Sequence, residues 1–114
     1  MNLAKTIDHT ILKPDCKVDD IKKLCEEATT FEFSSVCVPP YFVKTAAQIL
    51  EESSVKVATV VGFPFGYATT SAKVEEIKRA INDGADEVDV VVNICAVKDG
   101  KWSYVKSDID SVTS

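Results

Sequence analysis

The sequence predicts an α/β fold in which strands and helices alternate and the strands run parallel. Three observations carry this expectation. Runs rich in valine recur at 34–40, 55–66 and 87–93, and they are apolar on both sides of the backbone, as strands covered on both faces are. The stretches between them place apolar residues at helical spacing. An alternation of this kind implies right-handed βαβ crossovers.

Taken in chain order, "TIDHTIL" (6–12) opens the pattern as a further strand. Thr6, Ile7, Thr10, Ile11 and Leu12 suit that role, whereas Asp8 and His9 sit poorly in a dry interior. A first helix follows, with Val18, Ile21, Leu24, Cys25 and Ala28 on its apolar face. "SSVCVPP" (34–40) is a short β-branched strand stopped by Pro39 and Pro40. "YFVKTAAQILEES" (41–53) aligns Val43, Ala46, Ala47 and Leu50 on a second helical stripe. "VKVATVVGFPFG" (55–66) is a strand that ends at Gly62 and Pro64.

In the third helix Val74, Ile77, Ala80 and Ile81 keep the period. Thr69, Thr70 or Ser71 can cap its start, and Gly84 supplies a stop. "EVDVVVN" (87–93) is the last strand, and Val105, Ile109 and Val112 begin a fourth helix. The expectation is a single domain over residues 1–114, made of four βα units with the fourth helix cut short.

The bulk properties narrow the function. The 114 residues, 46% hydrophobic and 27% charged, are ordinary for a soluble globular domain. A net charge of -5 with no clustered Lys/Arg stripe speaks against nucleic acid as a partner. No apolar run reaches the length of a membrane span, and the start "MNLAKTIDHT" lacks the apolar core of a signal peptide. The four cysteines form no C-x-x-C pair and His9 is the one histidine, so no metal site and no disulfide scaffold is expected. Reduced thiols in a cytoplasmic protein are the simpler reading.

Asp89 is the residue that this pattern does not explain. It interrupts the valines of "EVDVVVN", and an ionised carboxylate in an apolar layer costs several kcal/mol, on the order of the unpaired-charge penalty, unless it is satisfied. Alternation puts Asp89, Val91 and Asn93 on one face and Val88, Val90 and Val92 on the other. The all-valine face suits packing beneath helices. The Asp89 face must then look towards something that solvates a carboxylate.

In a closed parallel barrel that place is the axis near the carboxyl ends of the strands, and in an open sheet it is the crevice beyond the same ends. A plain structural use of Asp89, pairing with a lysine or capping backbone N–H groups, remains open at this point. Asp8, Cys37 and "GFPFG" fall at comparable places on other strands. For Cys37 and His9 packing and local bonding are the simpler roles. "GFPFG" matches neither G-x-G-x-x-G nor G-x-x-x-x-G-K-[ST], and makes a tight strand exit rather than a phosphate cradle.

"IDHTILKPD", "VCVPPYFV", "VATVVGFPFG" and "GADEVDVVVN", in that order and spacing, resemble deoxyribose-phosphate aldolase from about residue 5 to 110. The resemblance implies the amino-terminal half of a TIM (β/α)8 barrel. It implies reversible cleavage of 2-deoxy-D-ribose 5-phosphate to D-glyceraldehyde 3-phosphate and acetaldehyde, through a lysine Schiff base and without cofactor or metal. The imine serves as an electron sink for the carbanion-like enamine left when the carbon–carbon bond breaks.

By the same resemblance Asp89 matches the catalytic aspartate of the proton relay. Asp8 and Thr10 match substrate-side positions on the first strand, Leu12, Val60 and Phe63 match pocket walls, and Cys37 matches a cysteine near the site. The family's Schiff-base lysine lies on a sixth strand and its partner lysine on a seventh. None of Lys13, Lys56, Lys98 and Lys101 matches them.

A chain of this length is close to half of a barrel of about 250 residues. It is therefore expected to be inactive alone, and to form a homo-oligomer through its exposed half-barrel face or edge strands. The alternative is a non-catalytic half-barrel module that homodimerises or docks on a partner. A receiver-type signalling domain with Asp89 as phosphoacceptor wants an acidic pair after the first strand and a lysine after the fifth, and neither is evident.

Overall fold

Backbone chemistry trims each apolar run to a shorter strand. The computed structural model describes residues 3–113. A 3-10 turn, Leu3–Thr6, leads into strand β1 (Asp8–Thr10), followed by helix α1 (Val18–Phe31) and β2 (Ser35–Val38). Pro39 and Pro40 carry no N–H to extend the ladder, and the chain turns through a 3-10 segment, Pro40–Phe42, into α2 (Val43–Ile49). β3 (Lys56–Val61) stops at Gly62, whose φ of +69° leaves the extended region. α3 (Thr70–Asp83), β4 (Glu87–Val90), α4 (Ile94–Lys98) and α5 (Trp102–Thr113) complete the order.

The caps explain several of these limits. Of the three residues able to start α3, Thr69 does so: its side chain accepts from the Ala72 N–H. Gly84 ends α3 at φ +110°, with its N–H turned back to the Ala80 and Ile81 carbonyls. β4 ends before Asn93 because the Asn93 side chain caps α4, accepting from the Ala96 N–H at 3.0 Å. Asn93 thus leaves the alternation that the sequence pattern assigned it.

The four strands pair in parallel in the order β1-β2-β3-β4. Asp8 lies beside Ser35, Cys37 beside Ala58, and Val60 beside Asp89. Each strand lies next to its predecessor, and right-handed crossovers, the rule for parallel βαβ units, put the helices that follow β1, β2 and β3 on one side of the sheet. A doubly wound sheet would reverse direction and cover both sides; this winding is that of half a TIM barrel.

The core lies on the helix side. Ile21, Leu24, Cys25 and Ala28 of α1, with Val43 and Ala46 of α2, close over Val36, Val38 and Val57. α3 presents a different stripe from the predicted one. Ile81 is 61% exposed, whereas Lys73 is fully buried and shares the inward side with half-buried Ile77 and buried Ala80. A lysine is tolerable there because its ammonium meets a carboxylate: Lys73 Nζ lies 2.6 Å from Asp108 Oδ2 on α5. Val18 and Val92 are likewise more exposed than their patterns imply.

Candidate active site

Alternation along the strands gives the sheet a second face that none of the described helices covers. Asp8 and Thr10, Ser35 and Cys37, Ala58 and Val60, and Glu87 and Asp89 share it, as the register requires. Its centre is nonetheless dry. Cys37, Ala58 and Val60 are buried as a small cluster of their own, with Leu12 packed against them and no helix residue among them. Leu12 is held there by its neighbour, since the Ile11 N–H donates to the Cys37 carbonyl at 3.0 Å.

Polar groups surround this apolar floor. The Ser35 hydroxyl donates to Asp8 Oδ1 at 2.5 Å, and the Thr10 hydroxyl donates to the Asp8 carbonyl at 3.1 Å. Asp89 stands exposed on β4 beside Val60, near the carboxyl end of its strand. Among the described residues no lysine forms an ion pair with it. Its charge is felt next door. Burial, then the Asp89 carboxylate, then that of Asp8, push the Cys37 thiol up to about 11. Cys37 is therefore a protonated thiol at neutral pH and no nucleophile.

The loop from Gly62 to Gly66 forms the rim. It closes on itself through the Gly66 N–H, which donates to the Gly62 carbonyl at 2.6 Å. A Cβ on Gly66 would lie 1.9 Å from the Val92 carbonyl oxygen, so only glycine allows the loop this close to the segment after β4. The Ile94 N–H donates to the Phe65 carbonyl at 3.2 Å and fastens the two loops together. Phe63, at the exit of β3, is half-exposed on this rim rather than on the floor.

The geometry thus gathers Asp8, Thr10, Leu12, Cys37, Val60 and Asp89 on one face and puts Phe63 at its edge. Ser35 belongs to the same group and was not singled out from the sequence, although alternation from Cys37 points to it. Lys73, Asp108 and Thr70 were also missed; their pairing lies on the helix side. A cleft of about 730 Å³ lies elsewhere, between α4 and α5, and is lined by Asn93, Cys95, Lys101, Trp102 and Tyr104 among others. Among the described residues no group of three or more His, Cys, Asp or Glu side chains is arranged to hold a metal ion, and no helix is long and apolar enough to cross a membrane.

A family model for "DeoC/LacD family aldolase" matches residues 2–114. The chain belongs to that family. Curated deoxyribose-phosphate aldolases agree: one from Thermococcus gammatolerans is 54% identical over 114 residues, and one from Staphylococcus carnosus is 49% identical over 112. Each alignment covers 98% of this chain and 51% of the relative, so the chain spans about half the length of the curated relatives it matches.

Solved structures repeat the proportion. A Coccidioides immitis protein assigned as a deoxyribose-phosphate aldolase superposes with a TM-score of 0.94 at 39% identity, over 97% of this chain and 44% of its own. The tetrameric deoxyribose phosphate aldolase of Aeropyrum pernix gives 0.77 at 29% identity, over 93% and 48%. The four βα units of this chain thus correspond to about half of each of these relatives.

Proposed function

We propose that the uncovered face is one wall of a deoxyribose-phosphate aldolase site, and that Asp89 is its proton-relay carboxylate. The observation that carries this reading is the position of Asp89: an exposed acid near the carboxyl end of β4, beside the apolar floor of Leu12, Cys37 and Val60. Active sites of this fold are built at that end of the strands. Asp8 and Thr10 lie on the substrate side, Leu12, Val60 and Phe63 form pocket walls, and the neutral Cys37 thiol contributes packing.

In the reaction so proposed, a lysine amine condenses with the aldehyde of 2-deoxyribose 5-phosphate and releases water. The iminium draws electrons from the carbon–carbon bond as the adjacent hydroxyl loses its proton, giving glyceraldehyde 3-phosphate and an enamine. Protonation of the enamine carbon and hydrolysis release acetaldehyde and restore the amine. Asp89 moves these protons through water. Lys56 begins β3 at the amino end, and Lys73 is held in an ion pair on the other side of the sheet. By the resemblance none of Lys13, Lys56, Lys98 and Lys101 matches the family's nucleophile, and the chain alone is proposed to have no turnover. The proposed setting is the cytoplasm, and no cofactor is needed.

A second reading, a half-barrel that homodimerises, draws on the two open edges, β1 and β4, which two copies could satisfy reciprocally. One experiment addresses both. The chain is mixed with the separately expressed carboxyl-terminal half of the Staphylococcus carnosus relative, and retro-aldol cleavage and sedimentation are followed. Recovered activity with borohydride trapping on the added half, lost by about 10²–10⁴-fold in Asp89→Asn, supports the aldolase wall. Trapping on a lysine of this chain overturns it. A dimer alone that refuses the added half favours the second reading.

A further inference from the structure

The strongest polar arrangement in the molecule lies outside the face just described. Lys73 on α3 is fully buried, and its Nζ donates to Asp108 Oδ2 on α5 at 2.6 Å. The other oxygen, Asp108 Oδ1, accepts from the Thr70 hydroxyl at 2.6 Å. Asp108 is itself 4% exposed. Burial pushes its carboxyl up, but the hydrogen bonds from Lys73 and Thr70 and the charge of Lys73 outweigh it and hold the group below the usual aspartate range. One oxygen of the pair is thus spent on each partner, which fixes the carboxylate in one orientation.

What matters is where this holds the lysine stem. A Cβ built on Gly62 would lie 3.2 Å from Lys73 Cε and 3.7 Å from Lys73 Cγ. The stem therefore runs directly beneath Gly62, the first residue of the rim loop. One helical turn on, Glu76 Oε2 accepts from the Gly62 N–H at 3.3 Å. At its far end the loop rests on the Val91 and Val92 carbonyls and is bonded to Ile94. The chain from Ile94 runs through α4 into α5, which carries Asp108. The route returns to its start: loop, β4 exit, α5, Asp108, Lys73, loop.

We infer that Lys73 is a positioning residue for the rim: Asp108 and Thr70 clamp its ammonium so that its stem is a fixed floor under Gly62, and α5 thereby sets the loop that carries Phe63. The ion pair is more than glue between two helices. A hydrophobic pair of the same size could join α3 to α5. What the loop takes from position 73 is the long unbranched stem beneath Gly62, and Asp108 keeps it there because a buried ammonium without its partner would draw the stem towards water. The consequence for Phe63 as a pocket wall rests on the aldolase reading; the control of the loop does not.

The test compares amide hydrogen exchange at Gly62 and Gly66 in the full chain with that of the β2 and β3 ladders. Asp108→Asn, which leaves the buried ammonium without its charge partner, should speed exchange at Gly66 by about tenfold or more relative to the ladders. Lys73→Met/Asp108→Asn keeps an unbranched stem under Gly62 with no unpaired charge and should restore protection. Lys73→Ala/Asp108→Asn removes the stem and should not. The two double variants decide the matter even if Asp108→Asn does not fold. Equal loop protection in both, or loss only in step with the ladders, overturns the inference and leaves a plain helix–helix tie.

A titration with 2-deoxyribose 5-phosphate separates this from the functional reading. Amide shifts at Asp89 and Leu12 in the wild-type chain report on the proposed substrate face, whereas the exchange pattern reports on the loop whether or not the sugar binds.

Discussion

The two faces of the sheet are built from neighbouring residues and answer to different demands. On the covered face Val36, Val38, Val57 and Val61 meet α1 and α2 or lie fully buried, and each side chain is shielded by apolar partners. On the other, Asp8, Glu87 and Asp89 are exposed around Cys37, Ala58 and Val60. One residue of register separates the two environments, because alternate side chains point to opposite sides. The larger apolar core lies on one face, and the exposed carboxylates of the strands lie on the other. This division lets a strand as short as β4 carry Val88 and Val90 towards the helices and Asp89 away from them.

The largest expected effect tests that division directly. Leu24→Ala on the covered face should cost about 2–5 kcal/mol in urea unfolding, since Leu24 is 1% exposed in the core. Asp89→Asn, on the exposed face, should stay within about 0.5 kcal/mol of wild type. Comparable losses in the two variants would break the comparison.

A smaller effect comes from acid. The folded Asp108 carboxyl titrates below its ordinary value of 3.8. Its contribution is therefore fully present above that value and fades as pH falls through the lower, folded one. Thermal melts of wild type and Asp108→Asn should draw closer below about pH 4. A gap unchanged down to pH 2 would remove Asp108 from the acid transition.

The smallest effect sharpens the electrostatics of the open face. Alkylation rates read against pH should place the Cys37 thiol near 11, far behind exposed Cys95. Asp89→Asn should lower the Cys37 value, though burial, the larger cause, keeps it well above an ordinary thiol. An unmoved profile would mean that Asp89 does not look towards Cys37.

Much of this was legible in the residues. The β-branched runs located all four strands, and the clash between one acid and its valines pointed to the exposed face before any geometry. Gly84 marked the end of α3, and its start was narrowed to Thr69, Thr70 or Ser71. The errors have physical causes. Lys73 reads as a solvated residue because nothing local reveals that Asp108, 35 positions later, will meet it. Yet Ile77 and Ala80 stand four and seven residues beyond it, and that spacing already placed position 73 on the inward stripe. Ile81 was assigned inward by the same period one step out of phase. α4 escaped because five residues carry little periodicity, although Asn93 is a strong cap.

The sequential strand order has a kinetic consequence. A sheet arranged β1-β2-β3-β4 never requires a late strand to wedge between two earlier ones. Each new βα unit leaving a ribosome finds its docking edge already made. Every pairing must nonetheless close a crossover, from Asp8 to Ser35, from Ser35 to Lys56 and from Ala58 to Glu87, before it is rewarded. That makes parallel pairing slow and leaves the newest edge exposed meanwhile. Growth can proceed in the direction of synthesis, with the most recently made strand always the one awaiting a neighbour.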